Sequence, residues 1–312
     1  MENQRPIIGI LCIDVASKIY ELYGPEVKSY IAASYVKFLE CSGARAVPIW
    51  IGKDEQYYQD IMHKINGILL PGGAVFFDSQ YNKKPEHTNK CVRSSELIYR
   101  IAIEINKSGI YFPLWGICLG YELLLYHSSK QKLIRGDCTK LNKSMVLELE
   151  KDFQTSKLFK NLTPEMEKDL RTEPFAFHFH QFCITKEDLS TYNIDDQWRI
   201  TSVNRDDNNI EFISTIEHVR YPFYGVQFHP EKVIFEWSLN DNINHTENSV
   251  KCAQYLSNFF VSECRKNSNS FSTKKEEDRH LIYNFPIEFT GIKDSKFVQC
   301  YLFCDKSDYI EL

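Results

Sequence analysis

The chain has 312 residues, a formal net charge of −5, and 43% hydrophobic and 25% charged residues. It is long enough to bury a sizeable core, and its composition is that of an ordinary globular protein. The acidic balance and the lack of a dense basic run argue against a general nucleic-acid binder, and no apolar stretch approaches the ~18 residues of a membrane-spanning helix. Residues 1–14 carry an acidic Glu2 and only a short apolar run before Asp14, so they do not read as a signal peptide.

Residues 6–12 (PIIGILC) form an apolar run of strand type. Residues 27–39 place Ile31, Ser34, Tyr35, Phe38 and Leu39 at helical spacing, which predicts a helix. Residues 45–51 (RAVPIWI) read as a second strand, 56–65 as a helix with Tyr58, Ile61, Met62 and Ile65 on one face, and 66–71 (NGILLP) as a third strand running into Gly72-Gly73. A polar loop over 80–90 precedes a helix presenting Leu97, Ile101 and Ile105, then a strand at 111–115 and a helix at 121–129. Alternation of this kind predicts a parallel sheet with helices on both faces and ligands gathered beyond the carboxyl ends of the strands. The second half reads as strands at 144–149, 178–184, 198–203, 211–217 and 223–228, extending the same sheet with antiparallel members. A long amphipathic helix over 248–266, a polar loop over 267–273 and a mixed-charge helix start at 274–279 follow. The whole chain, 1–312, reads as one domain.

Gly116-Ile117-Cys118-Leu119-Gly120 falls at a strand-to-helix turn, with glycines two residues to either side of a thiol. A nucleophile elbow has this form: the turn is so tight that flanking side chains would collide. A cysteine there sits at a helix N-terminus, where the macrodipole predicts a lowered pKa. Ten cysteines make the pentapeptide compatible with packing as much as with catalysis, and the rest of the chain decides between them. Residues 224–231 (YGVQFHPE) end a strand in His229, with Glu231 two residues on. A cysteine nucleophile needs a base that takes its proton and returns it to the leaving group, and His229 fits that role. Glu231 suits the part of the carboxylate that orients the ring. Acyl transfer also needs N–H donors for an oxyanion, and Leu119, just after the thiol, and Gly73 at a neighbouring strand end are the choices.

The segments LPGG (70–73), GICLG (116–120) and GVQFHPE (225–231) together resemble the class I glutamine amidotransferase-like superfamily, and within it the gamma-glutamyl hydrolase family. YIAASYVKFLE (30–40), GARAVPI (43–49), INGILLPGG (65–73), FPLWGICLG (112–120) and IEFISTIE (210–217) carry the likeness along nearly the whole chain. The resemblance implies a three-layer α/β/α fold with a mostly parallel central sheet. It implies a Cys118–His229 pair that cleaves gamma-glutamyl bonds of folyl and antifolyl poly-gamma-glutamates through a thioester, with Glu231 supportive. It also implies a homodimer, a lysosomal or extracellular location, no cofactor and no metal.

Three further positions are open to two readings each. His180 in FHFHQF suits a substrate contact, with His178 more simply a satisfied core residue. Glu122 suits either a substrate alpha-amine or an exposed helix-start carboxylate, and Tyr35 either frames the pocket or fills the core. The absence of a C-x-x-C pair argues against a zinc site and leaves disulfides open. Sequons at Asn106, Asn142, Asn161 and Asn244 lean weakly toward a secreted life. Two rival functions remain: a glutaminase that hands ammonia to a synthetase, and a binding protein on an inactive hydrolase scaffold. No basic cluster suited to a polyanion stands out in the sequence.

Overall fold

The computed structural model describes residues 2–75, 77, 89–132, 135–238, 240–293, 295–304 and 309. Most of the loop anticipated at 80–90 lies outside them. Eight of the described strands build the central sheet: β1 (Ile7–Leu11), β2 (Arg45–Ile49), β3 (Ile68–Leu70), β4 (Leu114–Ile117), β5 (Glu148–Leu149), β6 (Trp198–Arg205), β7 (Glu211–His218) and β8 (Phe223–Val226), in the order β2-β1-β3-β4-β8-β7-β6-β5. Pairing is parallel from β2 across to β8 and antiparallel from β8 to the β5 edge.

Every residue of β1, β3, β4 and β8 is buried, as strands covered on both faces must be. The covers are two helix groups. One is α1 (Ala33–Glu40) with α5 (Pro230–Phe235) and α6 (Glu247–Cys264); the other is α2 (Glu55–Met62), α3 (Lys90–Lys107) and α4 (Leu119–Ser128). The fold is the mixed α/β class, with a mostly parallel sheet between helical layers.

Several elements differ from the sequence reading. Residues 27–39 are not one helix: Val27–Ala32 is a strand, and the helix begins at Ala33. That strand belongs to a second, antiparallel sheet, between Cys300–Cys304 and Ile13–Asp14 with Ile287–Glu288 at its edge. Its partner lies at the far end of the sequence, beyond the reach of local periodicity. The strand anticipated at 111–115 is shifted to Leu114–Ile117, after Pro113, and its helix starts earlier, at Leu119. The strands at 144–149 and 178–184 do not simply extend the central sheet. Lys143–Met145 pairs with Ala176–His178, Phe182–Cys183 pairs with Gly136–Asp137, and only Glu148–Leu149 reaches the sheet edge. These ribbons wall the cleft described next. One is stapled by a Cys138–Cys183 disulfide that the cysteine spacing did not reveal.

Candidate active site

The site forms where β3, β4 and β8 end. β4 and β8 run in parallel with Gly116 opposite Gly225 and Ile117 opposite Val226, and the ladder continues as Cys118 N–H donates to the Val226 carbonyl at 2.8 Å. Two strands ending side by side therefore deliver Cys118 and His229 to the same place. The meeting is visible at Gly72, beyond the end of β3. A Cβ there would lie 2.7 Å from His229 Cε1, 2.7 Å from the Tyr35 hydroxyl and 3.4 Å from Cys118 Cβ.

The elbow has the sterics that its glycines imply. Cys118 adopts φ 50° and ψ −107°, a backbone conformation costly for a non-glycine residue and held by its surroundings. A Cβ on Gly116 would come within 2.6 Å of the Gly120 backbone, and one on Gly120 would lie 1.9 Å from the Leu70 carbonyl oxygen. The turn therefore lets α4 start against the end of β3, with the thiol at the apex and Leu119 N–H turned toward its sulfur.

The electrostatics around the thiol differ from the helix-dipole expectation. Burial pushes the Cys118 pKa up, the Glu122 and Glu231 carboxylates add to the rise, and Leu119 N–H and Arg135 only oppose it. The resting group is a thiol, because loss of hydration outweighs half a helix charge. Gln227 Nε2 donates toward Cys118 Sγ at 3.8 Å and to Glu122 Oε1 at 3.3 Å. His229 is 4% exposed, and its Nδ1 lies 2.8 Å from Oε1 of the fully buried Glu231. A carboxylate only accepts, so Nδ1 carries the proton and Nε2 is the basic nitrogen.

A cavity of about 410 Å³ opens over this group, lined by Cys118, Leu119, Gly72, Gly73, Glu122, His180 and His229 among others. Gly72 N–H is taken by the Tyr35 hydroxyl at 2.9 Å, and among the described residues nothing takes Gly73 N–H. Tyr35 does not frame the cavity: it is 1% exposed and sits beneath the Gly72 loop. Glu122 lines the cavity but is neither exposed nor free for an amine, being ion-paired with Arg135. The Arg135 guanidinium lies between the Phe77 and Phe182 rings, 3.8 and 4.0 Å from their centroids. His180 reaches the cavity and His178 lies behind it. His180 Nδ1–H donates to the Phe182 carbonyl at 2.8 Å, leaving Nε2 to accept from His178 Nδ1 at 3.0 Å. Burial depresses both, His180 to about 3, so both are neutral near neutral pH.

Sequence reasoning missed Gln227, Arg135 and Lys232. Gln227 could have been found from strand register, since it lies beside Cys118 on adjacent parallel strands. Arg135 and Lys232 had no local signal. Lysines 18, 140, 232 and 296 also line the cavity, a basic grouping assembled from four separate segments. The grouping of metal-ligand atoms found among the described residues, Cys138, His180 and Cys183, has both sulfurs in the disulfide. No helix of the described residues is long and apolar enough to cross a membrane.

A sequence model of the peptidase C26 family matches residues 6–231, a span that holds Cys118, His229 and Glu231. Gamma-glutamyl hydrolase of Homo sapiens is 38% identical over 301 residues, covering 96% of this chain and 90% of the relative. Gamma-glutamyl hydrolase B of Dictyostelium discoideum is 34% identical, with 96% and 84% covered, and gamma-glutamyl hydrolase 1 of Arabidopsis thaliana 30%, with 96% and 83%. Among solved structures, a putative GMP synthase component from Thermoplasma acidophilum aligns at TM-score 0.49 and 13% identity, covering 83% of this chain and 94% of that one. The chain belongs to the peptidase C26 family, alongside the gamma-glutamyl hydrolases.

Proposed function

We propose that the chain hydrolyses gamma-glutamyl amide bonds of folyl and antifolyl poly-gamma-glutamates, with Cys118 as nucleophile. The observation that carries this is the convergence of Cys118 and His229 around Gly72, at the floor of one cavity. The buried thiol gives its proton to His229 Nε2 as sulfur attacks the gamma-carbonyl. The imidazolium so formed faces Glu231, which keeps Nδ1–H in place and stabilises the charge. Leu119 N–H, with no intrahelical partner at the start of α4, and Gly73 N–H would receive the oxyanion. His229 then protonates the departing amine, and water attacks the thioester with His229 again as base, which regenerates the thiol and releases the gamma-glutamyl acid. Glu122 acts here through Arg135 and Gln227 rather than as an amine site, neutral His180 lines the substrate channel, and Tyr35 positions the Gly72-Gly73 loop.

The relatives' names favour hydrolysis over ammonia transfer. The same reading takes residues 1–312 as one catalytic domain, working as a homodimer in a lysosomal or extracellular setting. The Cys138–Cys183 disulfide supports an oxidising compartment. The test is digestion of a defined pteroyl penta-gamma-glutamate with product sizing, beside an incubation with glutamine. Shortened pteroyl products are expected, with turnover reduced to background in Cys118→Ala. Full turnover by that variant, or ammonia release from glutamine without chain cleavage, would reject the assignment.

A further inference from the structure

Lys232 follows Glu231 in the first turn of α5 and lines the cavity, yet it is only 2% exposed and has no part in the chemistry above. Its ammonium lies 4.7 Å from the Phe297 ring centroid and 5.6 Å from that of Phe179, and donates one long hydrogen bond to the Lys296 carbonyl at 3.4 Å. No carboxylate among the described residues forms an ion pair with it. The nearby Glu231 is held by His229, and Glu236, just past the end of α5, accepts from Val298 N–H at 2.6 Å and feels the Lys232 charge without coming within ion-pair distance of it. Arg135, the other buried cation of the cavity, has Glu122 as its partner.

Removing an ammonium from water is unfavourable unless an anion or a full set of acceptors replaces the hydration, and aromatic faces replace only part of it. A lysine carries three donors, and the described contacts use one. The remaining donors belong to a cavity whose rim adds Lys18, Lys140 and Lys296, with Lys296 turned partly toward Asp241 at 3.5 Å. Lys232 therefore brings a buried positive charge into the cavity three residues along the chain from His229.

We propose that Lys232 is the specificity-determining cation of this site: it binds the free alpha-carboxylate of the glutamyl residue whose gamma-carbonyl Cys118 attacks. This rests on the hydrolase reading. A gamma-linked glutamyl residue differs from an ordinary side-chain amide in carrying that carboxylate next to the scissile bond, so one buried cation distinguishes the two. The charge-assisted hydrogen bond uses donors that the described contacts of Lys232 leave open.

The experiment compares parent, Lys232→Met and Lys232→Arg on two pteroyl gamma-glutamyl substrates, one with the alpha-carboxylate free and one with it amidated. The parent should favour the free acid, and Lys232→Met should raise KM for it about 30-fold, the loss of one charge-assisted hydrogen bond. The ratio of kcat/KM between the two substrates should then fall to near one, with partial recovery in Lys232→Arg. Glutarate binding by calorimetry, lost in Lys232→Met, reads the anion site even if neither substrate is cleaved, which separates this proposal from the hydrolase assignment. Unchanged discrimination between the substrates, or glutarate binding equal in parent and variant, overturns it.

Discussion

Replacing Gly120 by alanine tests the link between backbone sterics and chemistry. The added methyl would lie 1.9 Å from the Leu70 carbonyl oxygen and 2.6 Å from its carbonyl carbon, where real contacts essentially never fall below 3.0 Å. Both partners are backbone, so no side chain can swing away. The start of α4 must instead move about 1 Å from the end of β3, a displacement passed directly to Pro71-Gly72-Gly73 on one side and to Cys118 on the other. Forced overpacking of this kind costs roughly 3 kcal/mol or somewhat more, offset by up to about 1 kcal/mol from alanine's better helix propensity. A net loss of about 2–3 kcal/mol is expected in denaturant unfolding. A 1 Å misplacement of reacting groups is of the size that lowers turnover about 10²-fold, so kcat on a gamma-glutamyl substrate should fall by that factor in the fraction that remains folded. Gly136→Ala is the control, since a Cβ there meets nothing within 4 Å. A Gly120→Ala protein with the parent's unfolding midpoint and the parent's kcat would refute the steric account of the elbow.

Two further outcomes follow from the site and its walls. Iodoacetamide labelling of Cys118, followed by peptide mapping, should keep accelerating as pH rises past 9 in the ligand-free protein, because burial raises the thiol pKa; a plateau below pH 7 would show a standing thiolate–imidazolium pair instead. The same shift gives the sign of linkage. Above the ordinary thiol range the unfolded chain has lost a proton that the native state keeps, so this group's contribution to stability is full below that range and falls as pH rises. Cys183→Ser removes a cross-link spanning 45 residues, and loop entropy sets its effect at up to about 4 kcal/mol. Its unfolding midpoint should drop while residual activity shows weaker substrate binding, since the stapled ribbon carries the cleft wall; a midpoint equal to the parent's would mean that the bridge does not form.

Much of the site was readable from local sterics and strand ends. Gly116, Gly120 and Gly72 are glycines because backbone, histidine and tyrosine atoms occupy the space a Cβ would need, and a turn leaves that signature within a few residues of chain. Gly72-Gly73 and Cys118 could be brought together on paper because both fall at carboxyl ends of strands in one parallel sheet, whereas the strand leading to His229 was expected as an antiparallel member and pairs in parallel beside the Cys118 strand instead. Of the two readings open for Tyr35 the buried one fits, and Glu122 is neither an exposed carboxylate nor without a partner. One holds a loop and the other an arginine, and which partner a polar side chain finds depends on residues far away in sequence.

By itself, then, the sequence determined most of the alternation of strands and helices and the tight glycine-flanked turn, and it singled out Cys118, His229 and Glu231 as candidates, because each of these readings rests on a few residues of chain or on the order of elements along it. The tertiary structure decided what depends on distant partners: the strand at Val27–Ala32, the Cys138–Cys183 bridge, and the four lysines gathered from separate segments. It also reversed the expected direction of the Cys118 pKa. A helix dipole is implied by a local turn, whereas the burial that outweighs it exists only once the surrounding elements have closed over the sulfur.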